Sequence, residues 1–166
     1  MSTVFKKLNL KDQKEIVITA APASFEPEIA SLSGVAVRRT LSGSSPVSFM
    51  LAFVMRQREI DAAAATIAGR AVGDAIVWFA YPKQSSRNYV CEFNRDTGWS
   101  AIGKAGFEPV RMVAIDADWS AVRFRRAEHI KKLTRGAEHA LSAEGKKKIR
   151  RDARPTGARK RVPAKR

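Results

Sequence analysis

Two short stretches gather the residues with chemistry to offer, "YPKQSS" (81–86) and "DADWSAVRFRR" (116–126). In the first, an ammonium (Lys83), an amide (Gln84) and two hydroxyls (Ser85, Ser86) follow closely on the apolar run Ala75–Ala80. A chain that only reverses direction uses Gly, Asn or Asp at such a point. Lys83, the hydroxyls of Ser85 and Ser86 and nearby backbone N–H groups could instead hold a small anion. The plainer alternative is a strand stopped by Pro82, a solvated lysine and a serine that caps the next segment. In the second stretch Asp116 and Asp118 stand two apart, Trp119 follows, and Arg123, Arg125 and Arg126 come close behind. Paired carboxylates can bind a hard cation or share acid and base work. At a tight turn they also act as turn formers, with an arginine pairing to one of them and the indole serving as core or lid. No third ligand or base lies near them in sequence, so the structural role is the expected one.

Other nucleophiles lack company. Ser120 with His129 or His139 has no G-x-S-x-G elbow around it, and both histidines fall on an expected amphipathic helix. Two His and one Cys cannot assemble a zinc-type ligand set. The lone Cys91 excludes an internal disulfide and fits a reducing, cytoplasmic setting. The start of the chain shows no secretory h-region, and "VSFMLAFVM" (47–55) is far shorter than a membrane span.

The elements that must position these residues read as alternating strands and helices. "EIVITAAP" (15–22) and "VAVRRT" (35–40) are strands, with a helix between them capped by Ser24 and carrying Pro27 in its first turn. "VSFMLAFV" (47–54), apolar on both faces, is a central strand. The spacing of Ile60, Ala64, Ile67 and Ala71 predicts a helix over 58–72. After Gly73-Asp74 comes the strand that runs into Lys83, and then a short helix with Trp99 and Ile102. Strands over 108–116 and 119–126 form a closing hairpin, and a last helix covers about 127–142. This order predicts one α/β domain over 1–126, a doubly wound, mostly parallel sheet of Rossmann-like type with an antiparallel hairpin at its end. Ligands of such sheets bind beyond the carboxyl ends of the strands, where Lys83 falls.

The closing hairpin resembles the C-terminal half of class I methyltransferases. In those enzymes a Gly-rich turn after the first strand lets the backbone approach the cofactor. Here "TAAPASFEP" has no glycine, so no bound S-adenosylmethionine, dinucleotide or other cofactor is expected. The segments "KKLNLKDQKEIVITAAPASF", "IVWFAYPKQSS", "NRDTGW" and "IDADWSAVRFRR" together resemble a bacterial domain family with no assigned activity. Its members carry an aromatic strand that enters a Pro-Lys-x-Ser turn, and a closing Asp-x-x-Trp-Ser-Ala-x-Arg-Phe strand. That resemblance covers about residues 5–126 and implies no catalytic residue.

Charge is segregated. The chain carries a net +15 over 166 residues. Its last 22 residues hold eleven cations (Lys146, Lys147, Lys148, Arg150, Arg151, Arg154, Arg159, Lys160, Arg161, Lys165, Arg166) against Asp152, a net of +10, which leaves +5 for the body. Such a segment cannot bury a core and reads as a disordered polybasic tail. It would attract DNA or RNA backbones non-specifically, because no aromatic residue between the cations offers stacking; the competing reading is a solubilising tail or one drawn to anionic lipid by the same force. The expectation is therefore a non-enzymatic binding module held near nucleic acid by its tail. The alternative is an enzyme or binding protein for an anionic, phosphorylated small molecule at the carboxyl end of the sheet.

Overall fold

The structure is a computed structural model that describes residues 2–133 and 139–153. Strands β1 (Glu15–Thr19), β2 (Ala36–Arg38), β3 (Val47–Phe53), β4 (Ala71–Pro82), β5 (Phe107–Ala114) and β6 (Trp119–Arg126) form one sheet in the order β2-β1-β3-β4-β6-β5. The first four run parallel, and β6 is inserted antiparallel between β4 and β5. This is the doubly wound sheet with a closing hairpin that the element order predicts. Its strand order reverses between β1 and β3, and β3 and β4, apolar on both faces, occupy the middle.

Helices α1 (Thr3–Lys7) and α2 (Glu26–Ala30) cover one face, where Phe5, Leu8, Phe25 and Ile29 pack on Ile16, Phe49 and Trp78. Helices α3 (Gln57–Ala68) and α4 (Ser100–Lys104) cover the other through Ile60, Ala64, Ile67 and Ile102. Trp78 is fully buried and its indole N–H donates to Leu8 O at 2.8 Å, which pins the N-terminal segment to the sheet. Burying a side chain of this size is worth roughly 3 kcal/mol. Ile60, Ala64 and Ile67 of α3 face the sheet at helical spacing, while Ala71, expected to extend that stripe, begins β4 after the helix ends at Ala68. The Glu59 carboxylate closes the helix start by accepting from the N–H groups of Met55 and Arg56.

Local details depart from the sequence reading. Helix α1 has too little periodicity to be visible in five residues. Ser24 is not a cap: the turn Ala23–Phe25 is a 3-10 turn that starts after Pro22. Strand β4 begins at Ala71, not beyond Asp74, because Gly73 at φ +56° allows the pairing to shift between Val47↔Ala71 and Phe49↔Ile76.

Of the helix expected over 127–142, the described residues show a 3-10 turn, Ala127–His129, followed by a non-helical 130–133, and a helix α5 comes later, at Ala143–Asp152. Sequence periodicity missed a buried carboxylate that decides this. Glu108 on β5, 1% exposed, accepts from Leu141 N at 3.0 Å, Ser142 N at 2.7 Å and Ser142 Oγ at 2.8 Å. Ser142 Oγ in turn accepts from Gly145 N at 2.8 Å, which caps α5 and holds it to the body. Residues 145–152, expected to be disordered, are therefore helical.

Candidate functional site

Thr19, Phe53, Pro82 and Ala114 end the strands on one rim of the sheet, and the β5–β6 connection reaches the same rim. The turn after β4 is tied to that connection. Lys83 N donates to Asp118 O at 2.7 Å, and Lys83 Nζ donates to Asp116 O at 2.6 Å. Ser86 Oγ donates to Asp118 Oδ1 at 2.7 Å, and Asn88 Nδ2 to Asp118 Oδ2 at 3.1 Å. Asp116 Oδ1 accepts from Asp118 N at 2.8 Å and Trp119 N at 2.9 Å, the geometry of an Asx turn. The two sequence stretches thus meet in one hydrogen-bonded unit. The Asp116 carboxylate forms the turn while its carbonyl holds Lys83, and the Asp118 carboxylate is the cross-link.

A cavity of about 600 Å³ opens on the β4–β6–β5 side of this unit. Its polar donors and acceptors come from three segments: Lys83, Gln84 and Ser85 after β4, Asn94 to Asp96 in the following loop, and Ser120 on β6. Tyr81, Phe93 and Met112 supply apolar wall. Ser86 lies outside this space and lines a second cavity of about 390 Å³ with Tyr89, Cys91 and Glu92. Lys83 and Gln84 border both. Partial burial pushes the Cys91 thiol up, away from the thiolate form. Burial likewise raises the Tyr81 phenol and keeps it neutral.

The loop that carries Arg95 is the part of the site that sequence reasoning passed over as chemistry, although "NRDTGW" was already distinctive. Asn94 Oδ1 accepts from Asp96 N and Thr97 N at 2.8 and 3.1 Å, an Asx turn. Gly98 at φ +89° lets the chain pass where a Cβ would stand 2.7 Å from Gln57 Oε1 and 2.8 Å from Phe93 Cβ. The Trp99 ring packs on Phe79, Tyr81, Phe93 and Phe124 at centroid distances of 5.2–5.8 Å. Asn, Gly and Trp at these positions therefore build the loop, and Arg95 and Asp96 are presented by it.

The structure does not bring all of the second stretch together. Trp119, 2% exposed, lies at the rim between Phe53 and Tyr89 at 5.1 and 4.9 Å. Arg123 sits four residues further along β6, about 13 Å away at strand rise, opposite Trp78 and Arg111. Ser120 lies at the rim while His129 follows the far end of β6, so they form no pair. Lys146, Lys147, Lys148, Arg150 and Arg151 are on α5; Arg154, Arg159, Lys160, Arg161, Lys165 and Arg166 lie outside the described residues.

At the reversal of strand order, Ala20 follows β1 with φ +53°, a left-handed conformation usually left to glycine. The comparisons bear on this architecture. No family model matches the chain, and no curated protein does. Among solved structures it is similar to a SAM dependent methyltransferase from Aquifex aeolicus, at 13% identity and a TM-score of 0.51. That match covers 74% of this chain and 87% of the other. It also matches the N-methyltransferase NodS from Bradyrhizobium japonicum WM9, at 13% identity over 68% of this chain and 74% of that one, with a TM-score of 0.45. At such identities the likeness is one of fold. It corrects the expectation of a non-enzymatic binding module associated with nucleic acid, because the architecture is one that an enzyme uses. The helical, body-anchored start of the basic segment removes part of that expectation's other support. Among the described residues no helix is long and apolar enough to cross a membrane.

Proposed function

We propose that this chain takes an anionic, phosphate-bearing small molecule in the cavity beside the carboxyl end of β4, as an enzyme or binding protein. The observation that carries this reading is the convergence of Lys83, Gln84, Ser85, Arg95 and Ser120 from three segments on one space of about 600 Å³. A volume of this size suits a metabolite. Lys83 and Arg95 offer positive charge, and Tyr81 and Phe93, their rings inclined at 55°, offer apolar wall. The Lys83 ammonium is already held by Asp116 O at 2.6 Å, which lowers the entropy cost of using it. Asp96, paired with Arg95 at 3.3 Å, is the carboxylate among the lining residues and the group available for proton transfer.

The test is a thermal-shift panel of nucleotides and phosphorylated metabolites on the full chain and on its Lys83→Gln and Arg95→Gln variants. S-adenosylmethionine belongs in the panel because the similar Aquifex aeolicus protein is a SAM dependent methyltransferase. A phosphorylated compound should raise the midpoint of the parent and not of either variant. Stabilisation by S-adenosylmethionine with no response to any phosphorylated compound would replace this reading.

A further inference from the structure

A second cluster of positive charge lies further along β5 and β6, on the sheet face that α1 and α2 cover in part. Apolar packing on that face ends at Val113 on β5 and Ala121 on β6. The next same-face positions are Arg111 and Arg123, directly opposite each other in register, and then Arg125. Arg125 is accounted for, because Asp74 clamps its guanidinium with both carboxylate oxygens, one at 2.7 Å from Nε. Arg111 and Arg123 have no acceptor or ion-pair partner among the described residues.

Arg123 is the more costly of the two. It is half-buried, and its Nε is shielded from solvent without a hydrogen bond. Desolvation, then the charge of Arg125, pull its guanidinium pKa down; Asp74 opposes them, and Arg111 adds a smaller downward push. Like charges directly opposite on neighbouring strands destabilise a sheet, and a buried donor without an acceptor adds to the cost. A threonine or valine at either position would remove both penalties and suit a strand better. What the arrangement lacks is an acceptor with two negative charges.

We infer that Arg111 and Arg123 form an oxyanion site for a phosphate group, free or esterified, on the β5–β6 face. Two guanidinium groups side by side present paired N–H donors to a tetrahedral dianion, and the dianion cancels both charges where a monocarboxylate would leave one. Lys83 lies at the end of the sheet and borders none of this surface, whereas Arg95 and Asp96 line a cavity of about 210 Å³ together with Arg111, so Lys83 is the residue that separates this site from the β4-rim cavity.

The experiment measures the unfolding midpoint of the full chain against inorganic phosphate and glycerol phosphate, with sodium chloride at matched ionic strength as the baseline. Phosphate at a hundred times its Kd should raise the midpoint by about 5 °C or more beyond chloride. Arg111→Gln and Arg123→Gln should abolish that rise, and should raise the midpoint in phosphate-free buffer because the like-charge contact is gone. Lys83→Gln should leave the rise intact. An equal rise with glycerol phosphate extends the site to esters. An equal rise in chloride, a rise retained in Arg111→Gln, or a loss in Lys83→Gln would overturn the site. Arg111 is exposed, so its variant carries the test should Arg123→Gln fail to fold.

Discussion

The indole N–H of Trp99 is shared between two backbone carbonyls of one loop, Asn94 O at 3.0 Å and Arg95 O at 3.1 Å. A core side chain thus fixes the backbone from which Arg95 and Asp96 reach the cavity. Trp99→Phe keeps most of the apolar contact and removes the donor. The expected outcome is a stability loss of about 1–2 kcal/mol in denaturant unfolding. Affinity for whatever ligand the thermal-shift panel identifies should weaken more than stability does. An unchanged affinity would separate Trp99 from the site.

Ala20 holds φ +53° without the freedom of glycine. Ala20→Gly should stabilise the chain by about 1 kcal/mol, the strain of a left-handed non-glycine residue less the entropy of an added glycine. Chemical denaturation of the two proteins reads this directly, and a destabilised variant would mean the turn carries no strain.

Asp118 joins the turn after β4 to the β5–β6 connection through Ser86 and Asn88. Asp118→Ala should leave the sheet folded but free residues 84–89. Faster amide exchange confined to that segment, with a stability loss of about 1–2 kcal/mol, is the expected pattern. The same substitution should reduce binding in the adjoining cavity, whose Lys83 is held by the same connection.

Glu108 gathers three donors in a site 1% exposed. Glu108→Ala strands those donors and should cost about 3 kcal/mol. Protease sensitivity should then appear after the basic residues of α5. Resistance equal to the parent would show that α5 is held by other contacts.

Arg125 holds the Asp74 carboxyl below the ordinary carboxylate range, chiefly through its hydrogen bonds. A group with a lowered folded pKa adds stability that is complete above the unfolded value, about 4. That stability disappears as the pH falls through the lower folded value. Both side chains are about a third exposed, so solvent limits the contribution to less than about 1 kcal/mol. Midpoints measured from pH 5 to pH 2 should fall less steeply for Asp74→Asn than for the parent. Identical slopes would dismiss the pair as a source of acid sensitivity.

Much of this protein was legible in the order of its residues. Alternating β-branched runs and helical spacings such as Ile60–Ala64–Ile67 determine strands and helices locally, and short right-handed connections leave few ways to assemble them. Lys83 could be placed at a strand's carboxyl end for the same reason, since Pro82 ends the run that precedes it. What the sequence could not decide rests on partners far apart in the chain. Asp116 and Asp118 became cross-links because the hairpin folds back to Lys83 and Ser86, some thirty residues earlier. Ser142 became a helix cap because Glu108 is buried beneath it. Arg123 left its sequence neighbours for Trp78 and Arg111 because strand register, set by sheet packing, assigns each side chain its company. Periodicity reports which face a residue takes, whereas the group that meets it there is chosen only when the layers close.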